Sequence, residues 1–363
     1  MLAYILRRLI LVPITHFGIM LVLFTVVQFV PGGPVERIMM QLEGNDASGN
    51  ARLSGAGSSG SFNSSNSPTS SYRGGQGIDE NFRKELEKQF GLDQPAPVRF
   101  FKMYRDYLLF DFGNSYFKGE KVTTLIKRAL PVSISLGLWM ILISYAISIP
   151  LGIRKAVKDG TAFDAWTSSL VIVGYAIPNF LFGVLLLILF ASTSFWNIFP
   201  DRGLVSENFA SLSLGGKILD YFHHLTLPLL SLAVSSFAIL TLFTKNAFLD
   251  EIRKQYVLTA RMKGLTEKRI LYGHIFRNAM LIVIAGFPAA FITAFFSGSV
   301  LIENLFSLDG LGRLSFISII DRDYPVVFAT LYILSLISLV TQLVTDVIYT
   351  LIDPRIDFAS RDA

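Results

Sequence analysis

Six long apolar runs dominate the pattern of hydrophobic and polar residues along the chain. None of them contains Asp, Glu, Lys or Arg, and each is long enough to cross about 30 Å of hydrocarbon as a helix. The runs are Leu9 to Val30, Val132 to Ile153, Ala165 to Ser192, Leu225 to Thr244, Ala279 to Ile302, and Pro325 to Thr345. The pattern predicts an all-α polytopic membrane protein with six transmembrane helices.

Prolines interrupt the second, third and fourth runs at Pro150, Pro178 and Pro228. Each proline removes a backbone hydrogen bond and tends to kink or end a helix. Gly174 and Gly183 flank Pro178 and add to this tendency. Movable helices and ordinary packing of bent helices both fit the pattern.

The first run has the charge pattern of a secretory signal, because Arg7 and Arg8 precede it. It is longer than the apolar region of a signal peptide, and no small-residue cleavage site follows it. The sequence Pro31-Gly32-Gly33-Pro34 follows instead. We therefore expect residues 1–30 to form an uncleaved anchor with a cytoplasmic N-terminal end.

Residues 31–131 form a long connection with two unlike parts. The tract at residues 44–77 is rich in Ser, Gly and Asn and has too few apolar residues to offset the entropy lost on ordering, so we expect a disordered insertion. Residues 78–128 are patterned as helices, with Gly91 as a stop signal.

An aromatic-rich amphipathic run follows Pro95 and Pro97 in the second part of this connection. Its apolar residues are Phe100, Phe101, Tyr104, Tyr107, Leu108 and Phe110. Such a face can lie on the bilayer surface or pack on the chain's own spans. Packing on the spans is the favoured interpretation, because an apolar face needs an apolar partner.

The positive charges indicate the orientation of the chain. Seven Lys and Arg residues lie between Asp250 and Met280, and the other short connections on the same side of the six spans are also basic. Because cytoplasmic connections collect Lys and Arg, we expect both termini and this block to be cytoplasmic. The same rule explains the net charge of +5 without a nucleic-acid partner.

No catalytic constellation is present in the sequence. The chain has no Cys, no G-x-x-x-x-G-K-[ST] loop, no H-E-x-x-H and no G-x-S-x-G. We therefore expect no enzyme activity, cofactor or metal in this chain. The sixth apolar run continues past Asp346, which is therefore the one carboxylate within a predicted span. It keeps an ion-coupled secondary transporter open as the alternative, although such a protein needs several intramembrane polar groups.

The charged block has the pattern of a helix, a glycine break and a second helix. Ile252, Tyr256 and Ala260 fall on one helical stripe, Gly264 can end that helix, and Thr266 can cap the next, which leads into the fifth run. The small Ala260 allows close approach by another surface. Periodicity alone does not separate a loop resting on anionic lipid from a docking site for a cytoplasmic partner.

The sequence from Tyr256 to Leu265, which continues to His274-Ile275-Phe276-Arg277-Asn278-Ala279, resembles the cytoplasmic EAA loop of dipeptide and oligopeptide ABC importer permeases. The usual E-A-A start is replaced by Leu258-Thr259-Ala260. Further stretches that resemble the family are Pro31-Gly32-Gly33-Pro34, Phe90-Gly91-Leu92-Asp93-Gln94-Pro95, Asp111-Phe112-Gly113-Asn114-Ser115-Tyr116, Ile177-Pro178-Asn179-Phe180, Glu303-Asn304-Leu305-Phe306, Gly310-Leu311-Gly312, Arg322-Asp323-Tyr324-Pro325 and Leu351-Ile352-Asp353-Pro354-Arg355.

The resemblance implies a type I ABC importer permease fold with a periplasmic insertion after the first helix and a permease core at residues 132–363. It implies a permease subunit of an ATP-driven peptide importer in the bacterial inner membrane, surrounded by lipid. The implied partners are a second homologous permease that completes a heterodimer, ATPase subunits whose two nucleotide-binding domains hold ATP and Mg, and a periplasmic peptide-binding protein. A subgroup of the family is linked to uptake of microcin C-like peptide nucleotides.

The resemblance also implies roles for particular residues. The coupling loop at residues 250–279 would dock on the ATPase through Tyr256, Ala260, Arg261, Gly264, Leu265 and Arg269. Asn179, Ser297 and Ser299 would line the substrate path, and packing against neighbouring helices is the alternative for these three polar residues. The sequence leaves peptide length and preference open.

Overall fold

The computed structural model describes residues 2–30, 32–42, 80–296 and 299–352. The Ser/Gly-rich tract at residues 44–77 and Ser297 lie outside these residues. The helices are α1 (Leu2–Phe29), α2 (Pro34–Leu42), α3 (Glu80–Gln89), α4 (Ala96–Leu108), α5 (Val122–Val157), α6 (Ala162–Ala176), α7 (Asn179–Phe190), α8 (Leu214–Ile252), α9 (Gln255–Met262), α10 (Glu267–Ile270), α11 (Phe276–Phe296), α12 (Ser299–Leu305), α13 (Leu311–Asp321) and α14 (Tyr324–Ile352). The all-α fold class is confirmed.

Four helices of the described part are long and apolar enough to cross a membrane, namely α1, α5, α8 and α14. The pair α6 and α7 passes the same test as one bent span, which makes five. The fifth predicted run falls on α11, and two of its later residues, 297 and 298, lie outside the described part. The count of six therefore stays a prediction.

The third apolar run is a bent pair of helices. Helix α6 ends at Ala176, and α7 begins after Pro178 at an angle of 93° to α6. Between them Ile177 has extended dihedrals, φ −85° and ψ 121°, as expected for a residue before proline. Pro150 and Pro228 instead lie inside the continuous helices α5 and α8. Only Pro178 therefore ends a helix.

The contacts divide the chain into two compact units. The smaller unit holds residues 18–123 and 317–332, and the larger holds residues 1–17, 124–316 and 333–363. In the smaller unit Asp323 is 1% exposed, accepts a hydrogen bond from the Ser115 hydroxyl at 2.5 Å and accepts another from the backbone N–H of Tyr116 at 3.1 Å. This carboxylate ties the residue before α14 to the chain between α4 and α5.

A second buried carboxylate organises part of the larger unit. Glu303 in α12 is fully buried and accepts hydrogen bonds from the Ser133 hydroxyl at 2.8 Å and from the backbone N–H of Arg313 at 2.9 Å. Gly310 and Gly312 lie directly against its carboxylate, where a Cβ would overlap it. Glu303, Gly310 and Gly312, which belong to two of the stretches that resemble the permease family, therefore pack together between α5, α12 and α13.

Candidate functional site

The charged block belongs to the larger unit and contains two short helices, α9 and α10. Helix α8 ends at Ile252, Lys254 precedes α9, and Gly264 has φ +75° in the turn after α9. Helix α10 follows Thr266 and continues through a π-helical turn, Leu271–Ile275, into α11. The predicted helix, glycine break and second helix are confirmed, but the Thr266 side chain makes no capping hydrogen bond.

The inner face of α9 is buried in the chain's own core. Val257 is fully buried and Ala260 is 8% exposed, and both belong to a cluster with Phe248, Ile270 and Ile275. Tyr256 and Leu265 pack against the same cluster and are partly buried. The small side chain of Ala260 therefore faces the chain's own helices, and its part in docking stays a prediction.

The outer face of α9 presents two apolar side chains among cations. Leu258 is 58% exposed and Met262 is 82% exposed, one helical turn apart. Arg261 is exposed beside them and pairs with Glu267 at 2.8 Å, which raises the pKa of Arg261. Arg269 is also exposed. A partner that approaches this face would meet Leu258 and Met262 before Ala260, and the i,i+4 spacing of these two residues was the available signal for them.

Buried polar contacts fix the start of α9 on the end of α8. Glu251 is 5% exposed, pairs with Lys254, and accepts a hydrogen bond from the Tyr256 hydroxyl at 2.7 Å. Burial raises the pKa of Tyr256, and the hydrogen bond to Glu251 raises it further. Tyr256 therefore holds α9 in place within the chain.

A network of charges connects this corner to α5 and α6. Asp164 near the start of α6 lies 3.0 Å from the Lys155 Nζ of α5 and 2.7 Å from the Lys245 Nζ of α8. Lys245 also lies 2.9 Å from Asp159, and Arg253, which directly precedes Lys254, lies 3.6 Å from the same Asp159. The network therefore runs from α6 to Arg253, two residues before α9 begins.

The lysine at the centre of this network is fully buried. Lys155 donates three further hydrogen bonds, to the Asp164 carbonyl oxygen at 3.1 Å and to the hydroxyls of Thr167 and Ser168 at 2.9 and 2.7 Å. A buried ammonium is tolerated only with such complete pairing. These partners lie 9 to 13 residues after Lys155, across the turn between α5 and α6, and no motif in the sequence marks them.

A cavity of about 480 Å³ lies in the larger unit among α5, α8, α11 and the start of α7. Among the residues that the structure describes, no charged side chain lines it, and the polar ones are Asn179, Ser144, Tyr145, Ser235 and Ser236. Ser235 donates a hydrogen bond to Oδ1 of Asn179, directly after the break at Pro178. The Nδ2 group of this amide supplies further donors.

The structure thus places one of the three candidate path residues at a cavity. Asn179 lines the cavity, Ser299 begins α12, and Ser297 lies outside the described residues. The histidines that follow Asp220 bind the chain itself, because His223 lies 2.9 Å from the carbonyl oxygen of Ile198 and His224 lies 2.8 Å from that of Asp220.

Comparisons with known proteins bear on this geometry. Residues 148–358 match the family model described as binding-protein-dependent transport system inner membrane component. The chain is 60% identical to the peptidoglycan transport system permease protein YejB of Agrobacterium fabrum, over 99% of both chains. It is 53% identical to the inner membrane ABC transporter permease protein YejB of Escherichia coli O157:H7, over 99% of this chain and 100% of that one.

A more distant relative and a solved structure agree with this match. The oligopeptide transport system permease protein AppB of Bacillus subtilis is 36% identical over 77% of this chain and 87% of its own length. The inward-facing MetNI methionine ABC transporter matches with a TM-score of 0.50 and 16% identity over 64% of this chain and 97% of the solved chain, which shows the fold alone. None of these matches supports an ion-coupled transporter.

Proposed function

Because the chain belongs to the family of binding-protein-dependent transport system inner membrane components, we infer that it is the transmembrane permease subunit of an ABC peptide importer. The observation that carries this inference is 60% identity over 99% of both chains with a permease of this kind. The chain is a transport component, and ATP is hydrolysed by a separate ATPase subunit. It is a multi-pass protein of the inner membrane, and the Lys and Arg distribution supports cytoplasmic termini.

The docking site for the ATPase is the outer face of α9. Leu258 and Met262 provide exposed apolar contacts, and Arg261 stands beside them. The inner face is anchored by Val257 and the start of the helix by Tyr256, so a force applied to α9 would be passed to the chain's core. Such a support suits a short lever that couples closure of an ATPase dimer to movement of the spans.

Within the family assignment, a second homologous permease completes the path and a periplasmic peptide-binding protein delivers the cargo. The cavity beside Asn179 is this chain's contribution to the path. The hydroxyl and amide groups of the cavity can form hydrogen bonds with the N–H and C=O groups of a peptide. Because none of its described lining residues is charged, the cavity would not select peptides by the charge of their side chains. Asn179 and Ser235 are the residues assigned to this contact.

The cargo is peptide, and the relatives suggest narrower classes. The Agrobacterium relative carries peptidoglycan transport in its name and the Bacillus relative carries oligopeptide transport, so peptides released from peptidoglycan belong among the substrates to be tested. Peptide nucleotides of the microcin C type are a second narrower class.

Uptake into vesicles tests the function. The chain would be reconstituted with its second permease, ATPase and binding protein, and uptake of a labelled tripeptide would be measured with ATP and with the proton gradient collapsed. We expect uptake to survive the collapse and to stop without ATP. Uptake that needs the gradient and ignores ATP would contradict the proposal.

A further inference from the structure

The outer face of α4 carries the exposed side chains of Phe101 and Leu108, and the turn after it carries those of Leu109 and Phe110. We propose that this face and the turn after it lie in the leaflet that surrounds the Phe29 end of α1 and the Tyr324 end of α14, and that they anchor the smaller unit in the bilayer interface. The occupant of this face is lipid. This placement depends on α1 and α14 crossing the membrane, for which both helices are long and apolar enough.

One face of α4 is packed on the two spans. Phe100 and Tyr107 are 2% and 4% exposed. The Phe100 ring lies 5.3 Å from that of Phe24 in α1, and the Tyr107 ring lies 5.5 Å from that of Tyr332 in α14. The Tyr107 hydroxyl also donates a hydrogen bond to the carbonyl oxygen of Pro325 at 3.3 Å. The favoured sequence interpretation, packing on the chain's own spans, is confirmed for this face.

These contacts set the depth of α4 along the spans. Tyr332 lies eight residues after Tyr324, where the apolar span of α14 begins, which is about 12 Å along a helix. Even a span tilted by about 40° would keep about 9 Å of that depth. Because half of the hydrocarbon core is about 15 Å thick, the end of α4 is level with the outer part of the core.

The other face of α4 is exposed and apolar at this depth. Phe101 is 62% exposed, Leu108 is 55% exposed, Leu109 is 77% exposed and Phe110 is 55% exposed. An exposed cluster of large apolar side chains marks a contact with a protein or a membrane. A membrane fits here, because the cluster lies beside spans that are themselves in lipid.

The charged residues of α4 suit the same position. Lys102 is exposed, and Arg105, whose side chain is 74% exposed and pairs with Asp106 at 2.9 Å, lies between Phe101 and Leu108 on the helix. Long basic side chains at a membrane surface extend their charged ends toward phosphate headgroups while their methylene groups stay in the apolar layer. The chemistry of α4 therefore matches a phospholipid interface.

The backbone at Phe110 supplies an independent observation. Phe110 follows the end of α4 with φ +57°, in a left-handed conformation that glycine usually occupies after a helix. The ring nevertheless lies 6.2 Å from the rings of both Phe112 and Tyr332. A large aromatic side chain thus stands at the end of α4 in a backbone conformation that disfavours it. Insertion into lipid would cover the part of the ring that Phe112 and Tyr332 leave exposed.

Quenching by labelled lipid tests the proposal. The chain has no cysteine, so Leu109→Cys and Phe101→Cys each introduce one thiol for a nitrobenzoxadiazole label. The matched control is Glu85→Cys, an exposed position on the charged helix α3 of the same unit. Each variant chain would be assembled with its second permease and ATPase and placed in vesicles of phosphatidylcholine and phosphatidylglycerol that contain spin-labelled phosphatidylcholine.

We expect the labels at Leu109 and Phe101 to be quenched at least threefold more than the label at Glu85. Equal quenching at the three positions would overturn the proposal. A second result would also overturn the proposal. If the labels at Leu109 and Phe101 are quenched weakly, and their fluorescence changes when the binding protein is added, the face would be assigned to that protein. Each labelled variant is first checked for peptide uptake, which ensures that the chain is folded.

Discussion

The Lys155 ammonium of α5 and the Asp164 carboxylate of α6 lie 3.0 Å apart, and the lysine side chain is fully buried. Asp164 also contacts Lys245, so one carboxylate joins three helices of the larger unit. Asp159, which lies between α5 and α6, contacts both Lys245 of α8 and Arg253, which lies between α8 and α9. The pair therefore belongs both to the stability of the unit and to the route by which movement of α9 would reach α6.

Asp164→Asn should destabilise the chain strongly. The substitution leaves the buried Lys155 ammonium without a carboxylate, which costs about 3–5 kcal/mol when one partner of a buried pair is removed. Thermal unfolding in detergent would measure the loss. The matched control is Asp201→Asn, since Asp201 pairs with Arg202 at the exposed surface, where solvent screening leaves such pairs little effect on stability. Equal shifts in Tm for the two variants would contradict this account.

Gly264→Ala should lower peptide-stimulated ATP hydrolysis in the assembled importer. Gly264 has φ +75°, and an L-residue in this conformation costs about 1–2 kcal/mol, so the turn between α9 and α10 would shift. Gly273→Ala is the control, because a Cβ at either position meets no atom within 4 Å and Gly273 has no positive φ. Stimulated hydrolysis that falls equally in both variants would argue against a role for the turn geometry.

Gly310→Ala should be destabilising in the native chain and much less so in a Glu303→Ala background. The added Cβ meets the Glu303 carboxylate, and removal of that carboxylate removes the overlap. Glu303→Ala by itself should cost about 1–3 kcal/mol for each buried donor that it leaves unpaired, at Ser133 and Arg313. Unfolding of the two single variants and the double variant measures the coupling. Additive losses would show that the glutamate and Gly310 do not form one unit.

Asn179→Leu should reduce peptide uptake several-fold while leaving basal ATP hydrolysis unchanged. Leucine is close to asparagine in size but offers no hydrogen bond to a peptide group in the cavity. Asn304→Leu is a control at an exposed asparagine of α12 that does not line the cavity. Uptake that is unaffected by Asn179→Leu would remove this residue from the proposed path.

For the charged block at residues 250–280, the sequence predicts the local backbone structure better than the packing of the side chains. Gly264 was identified as the break because left-handed backbone after a helix is a local property. For Ala260, periodicity defines a face of the helix without showing that the chain's own core covers it. Ile252 and Tyr256 share the predicted stripe, yet α8 ends and α9 begins between them.

The buried charges were beyond the reach of sequence patterns. Glu303, Asp164 and Asp323 lie outside the six charge-free runs, so the sequence pattern predicts that they belong to the exposed segments that connect the spans. Each is buried because its partners come from distant positions, such as Ser133 for Glu303 and Ser115 for Asp323. The break at Pro178 was foreseen as a tendency, but the same reasoning applied to Pro150 and Pro228, and only tertiary packing separates the three.

The central claim is that the outer face of α9 docks on the ATPase. Met262 is the last residue of α9 and Leu214 is the first residue of α8, and both side chains are 82% exposed, so Met262→Cys and Leu214→Cys give single thiols of equal starting exposure. In the assembled importer a short thiol-to-amine crosslinker should join Met262→Cys to the ATPase subunit, and Leu214→Cys should give no such product. Equal crosslinking at both positions, or none at Met262→Cys in an importer that still transports peptide, would contradict the account.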